Sequence, residues 1–128
     1  MTRPAVVLSF LASLLLAMPV YAVDELSEID VCRDFSLIAK EVMTARQKKR
    51  PMSETLPKTV KKIESWAEKY GLTVDSEMVE ETATMLVIPA YDRFAWPSDS
   101  GYNENRQDAI SDFENHHFEE CYTGLTSD

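Results

Sequence analysis

The stretch CRDFSLIAKEVMTARQKKRPMSE, residues 32–54, contains the strongest fold signal in the chain. Apolar residues within it and just before it recur at steps of three and four, which is the period of an amphipathic α-helix. Acidic residues precede this run and basic residues 46–50 end it, and both placements complement a helix dipole. Pro51 disfavours helical backbone in the residue before it. The stretch therefore predicts a first helix over residues 26–49, followed by a basic turn.

A second helix is predicted directly after this turn. Ser53 or Thr55 caps it, and Pro57 is tolerated in its first turn. Gly71 ends it as a left-handed cap. Its inner row steps by four and three residues, through Leu56, Val60, Ile63, Ala67 and Tyr70.

Two further helices follow in the same pattern. Asp75 or Ser76 opens the third, which Pro89 kinks or splits. The last runs over residues 103–122 and is followed by a frayed tail at residues 123–128. No strand pattern is convincing. The predicted fold is an all-α bundle of about four helices with short connections.

The first 22 residues have the pattern of a secretory signal peptide. A positive start is followed by an apolar run at residues 5–18, and Val20 and Ala22 place small residues at positions −3 and −1 of a cleavage site. The run is shorter than the roughly 20 residues that span a bilayer. We therefore expect residues 23–128 to be exported as one helical domain without a membrane anchor. The periplasm is the favoured location, and an extracellular one is the alternative.

Cys32 and Cys121 are the only cysteines in the chain. In an exported protein an even number of cysteines indicates disulfides, and two cysteines leave one pairing. The bridge would join the first helix to the last and close a loop of about 90 residues, which stabilises the fold by about 4 kcal/mol in the chain-entropy model.

Composition excludes several classes of function. The chain has 128 residues, a net charge of −9 and only 3 glycines. The acidic balance argues against nucleic-acid binding, and so few glycines argue against a phosphate loop. No nucleophile or zincin motif is present. We therefore expect neither an enzyme nor a cofactor.

The quoted stretch resembles a group of small exported bacterial and prophage-type helical proteins with one disulfide. The shared motifs are a Cys, a helix of the form A-x-x-I-M-x-x-R-Q, a P-M-S turn, a middle A-Y and a late A-I-x-D-F. Here they correspond to Cys32 and residues 39–47, 51–53, 90–91 and 109–113. The glycine usual in the turn is replaced by Lys49 or Arg50. The resemblance implies an exported helical protein, and no catalytic residue can be carried over from it.

A looser similarity is to periplasmic acid-stress chaperones of the HdeA type. Residues 32–35, Cys-Arg-Asp-Phe, are similar to the Cys-x-Asp-Phe start of those small, helical, single-bridged proteins. Their cysteines lie much closer in sequence than Cys32 and Cys121. The similarity implies a chaperone that opens at low pH.

A basic stretch and an aromatic cluster each indicate candidate binding residues. Residues 46–62 contain seven basic residues and one acidic residue, and aromatic residues cluster around the loop before the last helix. Such features are typical of surfaces that steer and anchor a protein partner. A solvated surface and a capped bundle end are the alternatives. The candidate residues are Arg46, Lys48, Lys49, Arg50, Tyr91, Phe94 and Trp96.

Two weaker expectations concern the other end of the molecule. Asp112, His116 and Glu120 stand four residues apart and could share a metal ion on one helical face. The bridge would also crowd six carboxylates, which raises the pKa values of some of them and places the stability maximum at about pH 5. These six are Glu28, Asp30, Asp34, Glu114, Glu119 and Glu120.

The sequence therefore favours an exported, non-enzymatic module that binds another protein, as an inhibitor or immunity protein does. A periplasmic acid-stress chaperone is the first alternative, and a metal-binding protein is the second.

Overall fold

A computed structural model describes residues 25–127 and shows four α-helices in this part of the chain. A short 3₁₀-helix, Ser100–Tyr102, precedes the last of them. No strand occurs within the described range, so the predicted all-α bundle is confirmed. The predicted signal peptide, residues 1–22, lies outside the described residues. The helices are α1 (Glu25–Gln47), α2 (Met52–Lys69), α3 (Ser76–Tyr91) and α4 (Asn103–Thr126).

Helix α1 is the centre of the bundle and contacts each of the other three α-helices, most extensively α4. Cys32, Phe35, Val42 and Met43 are almost fully buried along it. Each large apolar side chain removed from water contributes about 2 kcal/mol to folding. Because α1 is covered from several sides, most of the core depends on its position.

The disulfide between Cys32 and Cys121 joins α1 to α4, with the two Cα atoms 5.5 Å apart, as predicted. Beside it, Phe35 and Trp66 pack with ring centroids 5.1 Å apart. The Trp66 indole N–H donates to the Val31 carbonyl at 3.0 Å, so this buried polar group is satisfied. We call this region the bridged end of the bundle.

The connection between α2 and α3 follows the predicted turn chemistry. Gly71 has φ +66°, and the Leu72 N–H donates to the Ala67 carbonyl at 2.8 Å, which completes a left-handed C-terminal cap. The Asp75 carboxylate accepts from the Met78 N–H at 2.8 Å, so Asp75 is the N-cap of α3.

The start of α2 differs from the prediction. Pro51 occupies the N-cap position, no side chain caps the helix, and neither Ser53 nor Thr55 does so. Thr55 and Thr59 are instead buried inside α2, where Thr59 donates its hydroxyl to the Thr55 carbonyl at 2.8 Å. Because its hydroxyl is satisfied within the helix, Thr59 can be buried on the face of α2 where only apolar residues were expected. Leu56 and Val60 are only partly buried, whereas Ile63 is in the core.

Helix α3 continues through Pro89, in its last turn, and ends at Tyr91, so of the two predicted effects of Pro89 the split does not occur. Helix α4 continues to Thr126, four residues past its predicted end, and Gly124 is buried. Residues 123–126 are therefore helical rather than a frayed tail.

Candidate protein-binding surface

Helix α1 ends in a turn whose backbone is unusual for the residue it contains. Lys49 has φ 61°, the left-handed region that glycine favours. The Lys49 N–H donates to Arg46 O at 2.9 Å and the Arg50 N–H donates to Ala45 O at 3.0 Å, which together form a Schellman cap. Lys48, Lys49 and Arg50 are exposed. A strained backbone therefore presents Lys49 to solvent.

The side chain of Gln47 fixes the loop between α3 and the 3₁₀-helix. Gln47 is only 3% exposed, and its amide nitrogen donates to the Phe94 carbonyl at 2.9 Å. Its amide oxygen accepts from the Trp96 N–H at 3.0 Å. The buried Gln47 amide therefore satisfies one carbonyl and one N–H group of the loop backbone.

Two arginines hold the rest of this loop. Arg46 donates its Nε–H to the Arg93 carbonyl at 2.9 Å, and Arg106 donates to the Asp99 carbonyl at 3.0 Å and to the Pro97 carbonyl. Hydrogen bonds from charged donors are stronger than neutral ones. Side chains from α1 and α4 therefore fix the loop backbone at both ends. We call this region, the turn at residues 48–51 together with the loop at residues 92–99, the loop end.

The fixed loop presents a group of aromatic side chains. Phe94 is 65% exposed and meets Trp96 edge to face at 5.0 Å, and Trp96 stacks on Tyr102 at 5.7 Å. Phe94 is one of three large apolar side chains that are exposed among the residues whose burial is described. An apolar ring held outward on an ordered loop is a binding anchor that has little conformational entropy left to lose.

Tyr91 joins the turn to the loop. Its hydroxyl lies 2.7 Å from the Thr55 hydroxyl and donates to the Arg50 carbonyl at 2.8 Å. The Arg46 guanidinium lies over its ring, 5.4 Å from the centroid. Arg46 and Tyr91 therefore have structural roles at this site.

Five of the seven predicted binding residues lie in the loop end itself, and Arg46 and Tyr91 lie next to it, in the last turns of α1 and α3. Lys48, Lys49, Arg50 and Phe94 are exposed, whereas Trp96 is half-buried beneath Phe94. The sequence analysis missed Gln47 and Arg106, which hold the loop. Nothing local marks Gln47, because its partners Phe94 and Trp96 lie 47 and 49 residues away in sequence.

The predicted metal trio does not assemble. His116 Nε2 lies 2.8 Å from a Glu120 carboxylate oxygen, and Asp112 does not join them. No group of three His, Cys, Asp or Glu side chains suited to a metal occurs within residues 28–127. On this face the structure shows an i, i+4 contact between His116 and Glu120, and metal binding stays a prediction.

The predicted carboxylate crowding is also wrong for Asp34. Lys69 lies 2.7 Å from its carboxylate and the Tyr70 hydroxyl donates to it at 2.5 Å. These two hydrogen bonds hold the pKa of Asp34 below its usual value, so the shift has the opposite direction to the one expected. Asp30 likewise pairs with Arg33 at 2.9 Å, so local cations accompany these acids.

His117 lies one helical turn before Cys121 and is 5% exposed, with no hydrogen-bond partner on either ring nitrogen. Phe113 packs edge to face against its ring at 4.5 Å. Burial, helped by the positive charges of His116 and Arg93, lowers the pKa of His117 to about 3. The ring is therefore neutral at physiological pH, and its burial opposes a stability maximum near pH 5.

None of the helices within residues 25–127 has both the length and the apolarity needed to cross a bilayer. In comparisons with known proteins, no family model, no curated protein and no solved structure matches this chain. The loop end itself is therefore the basis for inferring a function.

Proposed function

We propose that this protein is an exported, non-enzymatic module that binds another protein through the loop end, in the manner of an inhibitor or immunity protein. The observation that carries the proposal is Phe94, an exposed ring on a loop whose backbone is fixed by buried and charged side chains. Fixing a contact loop before binding reduces the entropy that association costs.

The charges around this anchor support the same proposal. Lys48, Lys49 and Arg50 are exposed next to the loop, on a chain whose net charge is −9. A local basic patch on an acidic protein attracts an acidic partner surface and orients the encounter. Basic side chains around an aromatic anchor match the usual anatomy of a protein interface, with a polar rim and an apolar centre.

Capture of partners from the periplasm of the source cells tests the proposal. Phe94→Ala should lower recovery of a captured partner about tenfold or more, because truncation of an aromatic anchor costs about 2 kcal/mol or more in binding. Thr84→Ala is the matched control, since Thr84 is exposed on α3 and outside the turn and loop. Equal recovery by wild type and both variants would contradict the proposed surface.

A second candidate function, an acid-stress chaperone, is favoured by His117. A buried, unpartnered histidine close to the disulfide is a group whose protonation loosens the fold. The candidate predicts suppression of client aggregation at pH 2–3 and none at pH 7. Replacement of His117 by Phe should weaken that suppression, and aggregation unchanged by the wild-type protein at pH 2–3 would eliminate the candidate.

A further inference from the structure

A groove lies between α1 and α2 and adjoins the loop end at Lys48 and Arg50. It consists of two open depressions of about 260 and 440 Å³, and both are lined by Ile38, Glu41 and Lys62. The Lys62–Glu41 ion pair, at 2.8 Å, connects the two helices across it. The groove follows α1 from Asp34 to Ala45, a length of roughly 16 Å at the helical rise per residue, and continues to Lys48 and Arg50 in the turn.

The floor of the α1–α2 groove is apolar. Ile38, Val42 and Ala45 contribute to it from α1. Leu37, which lines the larger depression, is 42% exposed and is another of the exposed large apolar side chains. Apolar side chains in a channel between two helices form the kind of surface that receives the apolar face of a third helix.

The rim of the groove is predominantly basic. The smaller depression is lined by Lys40, Lys48, Arg50, Lys58 and Lys62. The larger one adds Lys61 and Lys69. Three acidic residues also line the groove, and each of them is already ion-paired with a basic residue of the rim: Asp34 with Lys69, Glu41 with Lys62, and Glu54 with Arg50 and Lys58.

From this combination we infer that the α1–α2 groove binds an acidic amphipathic helix of the partner protein. The inference rests on the proposed function and names the chemistry of the partner. An apolar stripe on the helix would contact the floor, and glutamates or aspartates beside the stripe would meet the basic rim. Lys48 and Arg50 belong both to the groove and to the loop end, so one partner can contact both surfaces.

Charge and shape distinguish this occupant from two others. A nucleic acid would also meet basic side chains, but it has no apolar stripe for the floor, and the chain carries a net charge of −9. A second copy of this chain would have to present an acidic helix with an apolar face, whereas α4 already buries Ile110, Phe113 and Cys121 in its own core. The groove therefore fits a partner helix best.

The test uses a synthetic helical peptide with leucines along one side and glutamates flanking them, titrated into the full exported domain with its disulfide intact. A second peptide has lysines in place of the glutamates. The acidic peptide should shift the backbone NMR signals of residues 37–50 and 58–69, and the basic peptide should not. Lys58→Glu should weaken binding of the acidic peptide about tenfold, because like charges would then face each other.

Arg33→Glu is the matched control. Arg33 and Lys58 are both exposed and both ion-paired within their own helix, but Arg33 lines neither depression. Equal weakening by the two variants would overturn the inference, because only the net charge would then matter. Tighter binding of a duplex oligonucleotide, or concentration-dependent self-association that shifts the same signals, would also overturn it.

The outcome separates this inference from the proposed function. Shifts confined to residues 92–97 would overturn the groove and leave the loop end as the binding surface. Absence of peptide binding would contradict the inference that the groove binds an acidic helix. The Phe94→Ala capture experiment would still test whether the loop end binds a partner. Loss of capture in Phe94→Ala together with peptide shifts in the groove supports both.

Discussion

The two ends of the bundle are closed by different chemistry. At the bridged end, a disulfide joins α1 to α4, and Phe35 and Trp66 pack in contact beside it. At the loop end, the side chains of Gln47, Arg46 and Arg106 hold a loop through its backbone groups, and Phe94 stays exposed. The bridged end uses covalent and apolar contacts, whereas the loop end uses directional hydrogen bonds.

This difference bears on where function can lie. At the bridged end, apolar closure buries the rings of Phe35 and Trp66. Hydrogen bonds to the backbone fix the loop without using its side chains, so the aromatic rings remain available for a partner. At the loop end, therefore, the loop backbone is fixed while the Phe94 ring stays exposed to solvent.

The largest expected effect concerns the bridge. Cys121→Ser should lower the free energy of unfolding by about 2–5 kcal/mol, because the unfolded chain regains the freedom of a long loop. Chemical denaturation of the variant against wild type, with the wild type repeated under reducing conditions, measures it. Unchanged stability after reduction would mean that apolar packing alone closes this end.

Acid should weaken the bridged end next. His117 has a pKa of about 3 when folded and 6.5 when unfolded, so the unfolded chain binds more protons between these values. Stability should therefore fall as pH drops below about 6.5, with a loss of about 4 kcal/mol once pH reaches 3. The pKa of Asp34 is also lowered in the folded protein, so protonation of this carboxylate at still lower pH further reduces the free energy of unfolding.

Melting curves from pH 3 to pH 8 measure this loss. His117→Phe should flatten the profile between pH 6.5 and 3, because no neutral ring then has to become charged. His116→Ala is the control and should keep most of the acid loss, since burial of His117, the main cause of its lowered pKa, is unchanged. A wild-type maximum near pH 5 would contradict the account of His117.

Much of this architecture is predictable from periodicity and turn chemistry. The helices and their caps at Gly71 and Asp75 depend on residues close in sequence. The disulfide follows from the single pairing that two cysteines allow. The role of Gln47 depends on Phe94 and Trp96, and the shift of Asp34 depends on Lys69, so neither is visible in a local pattern. Burial of Thr55 and Thr59 was missed for the same reason, because a hydroxyl is expected at the surface until its partner is known.

A smaller effect is expected from loss of the hydrogen bonds between Gln47 and the loop. Gln47→Ala removes two hydrogen bonds and should cost about 2 kcal/mol, since a loop carbonyl and a loop N–H lose their partner. Gln47→Glu is the stricter variant, because it keeps the size of the side chain and can no longer donate to the Phe94 carbonyl. If both variants melt as the wild type does, the loop is held by something other than this amide.

The smallest effect concerns Lys49. Lys49→Gly should stabilise the protein by about 0.5–1 kcal/mol, because relief of the left-handed backbone exceeds the entropy that glycine loses on folding. Lys48→Gly is the control and should destabilise slightly, since Lys48 does not have a positive φ. Weaker partner binding by a more stable Lys49→Gly would indicate that the strained turn serves the surface.

Hydrogen exchange at the Trp96 amide tests the central claim most directly, because this N–H donates to Gln47 at the loop end. NMR should find the Trp96 amide protected in the wild-type protein and exchanging much faster in Gln47→Ala, with the amides of α1 near Cys32 unchanged. Fast exchange of Trp96 in the wild type would contradict the account, because the loop would then be unfixed and Phe94 would not be an ordered anchor.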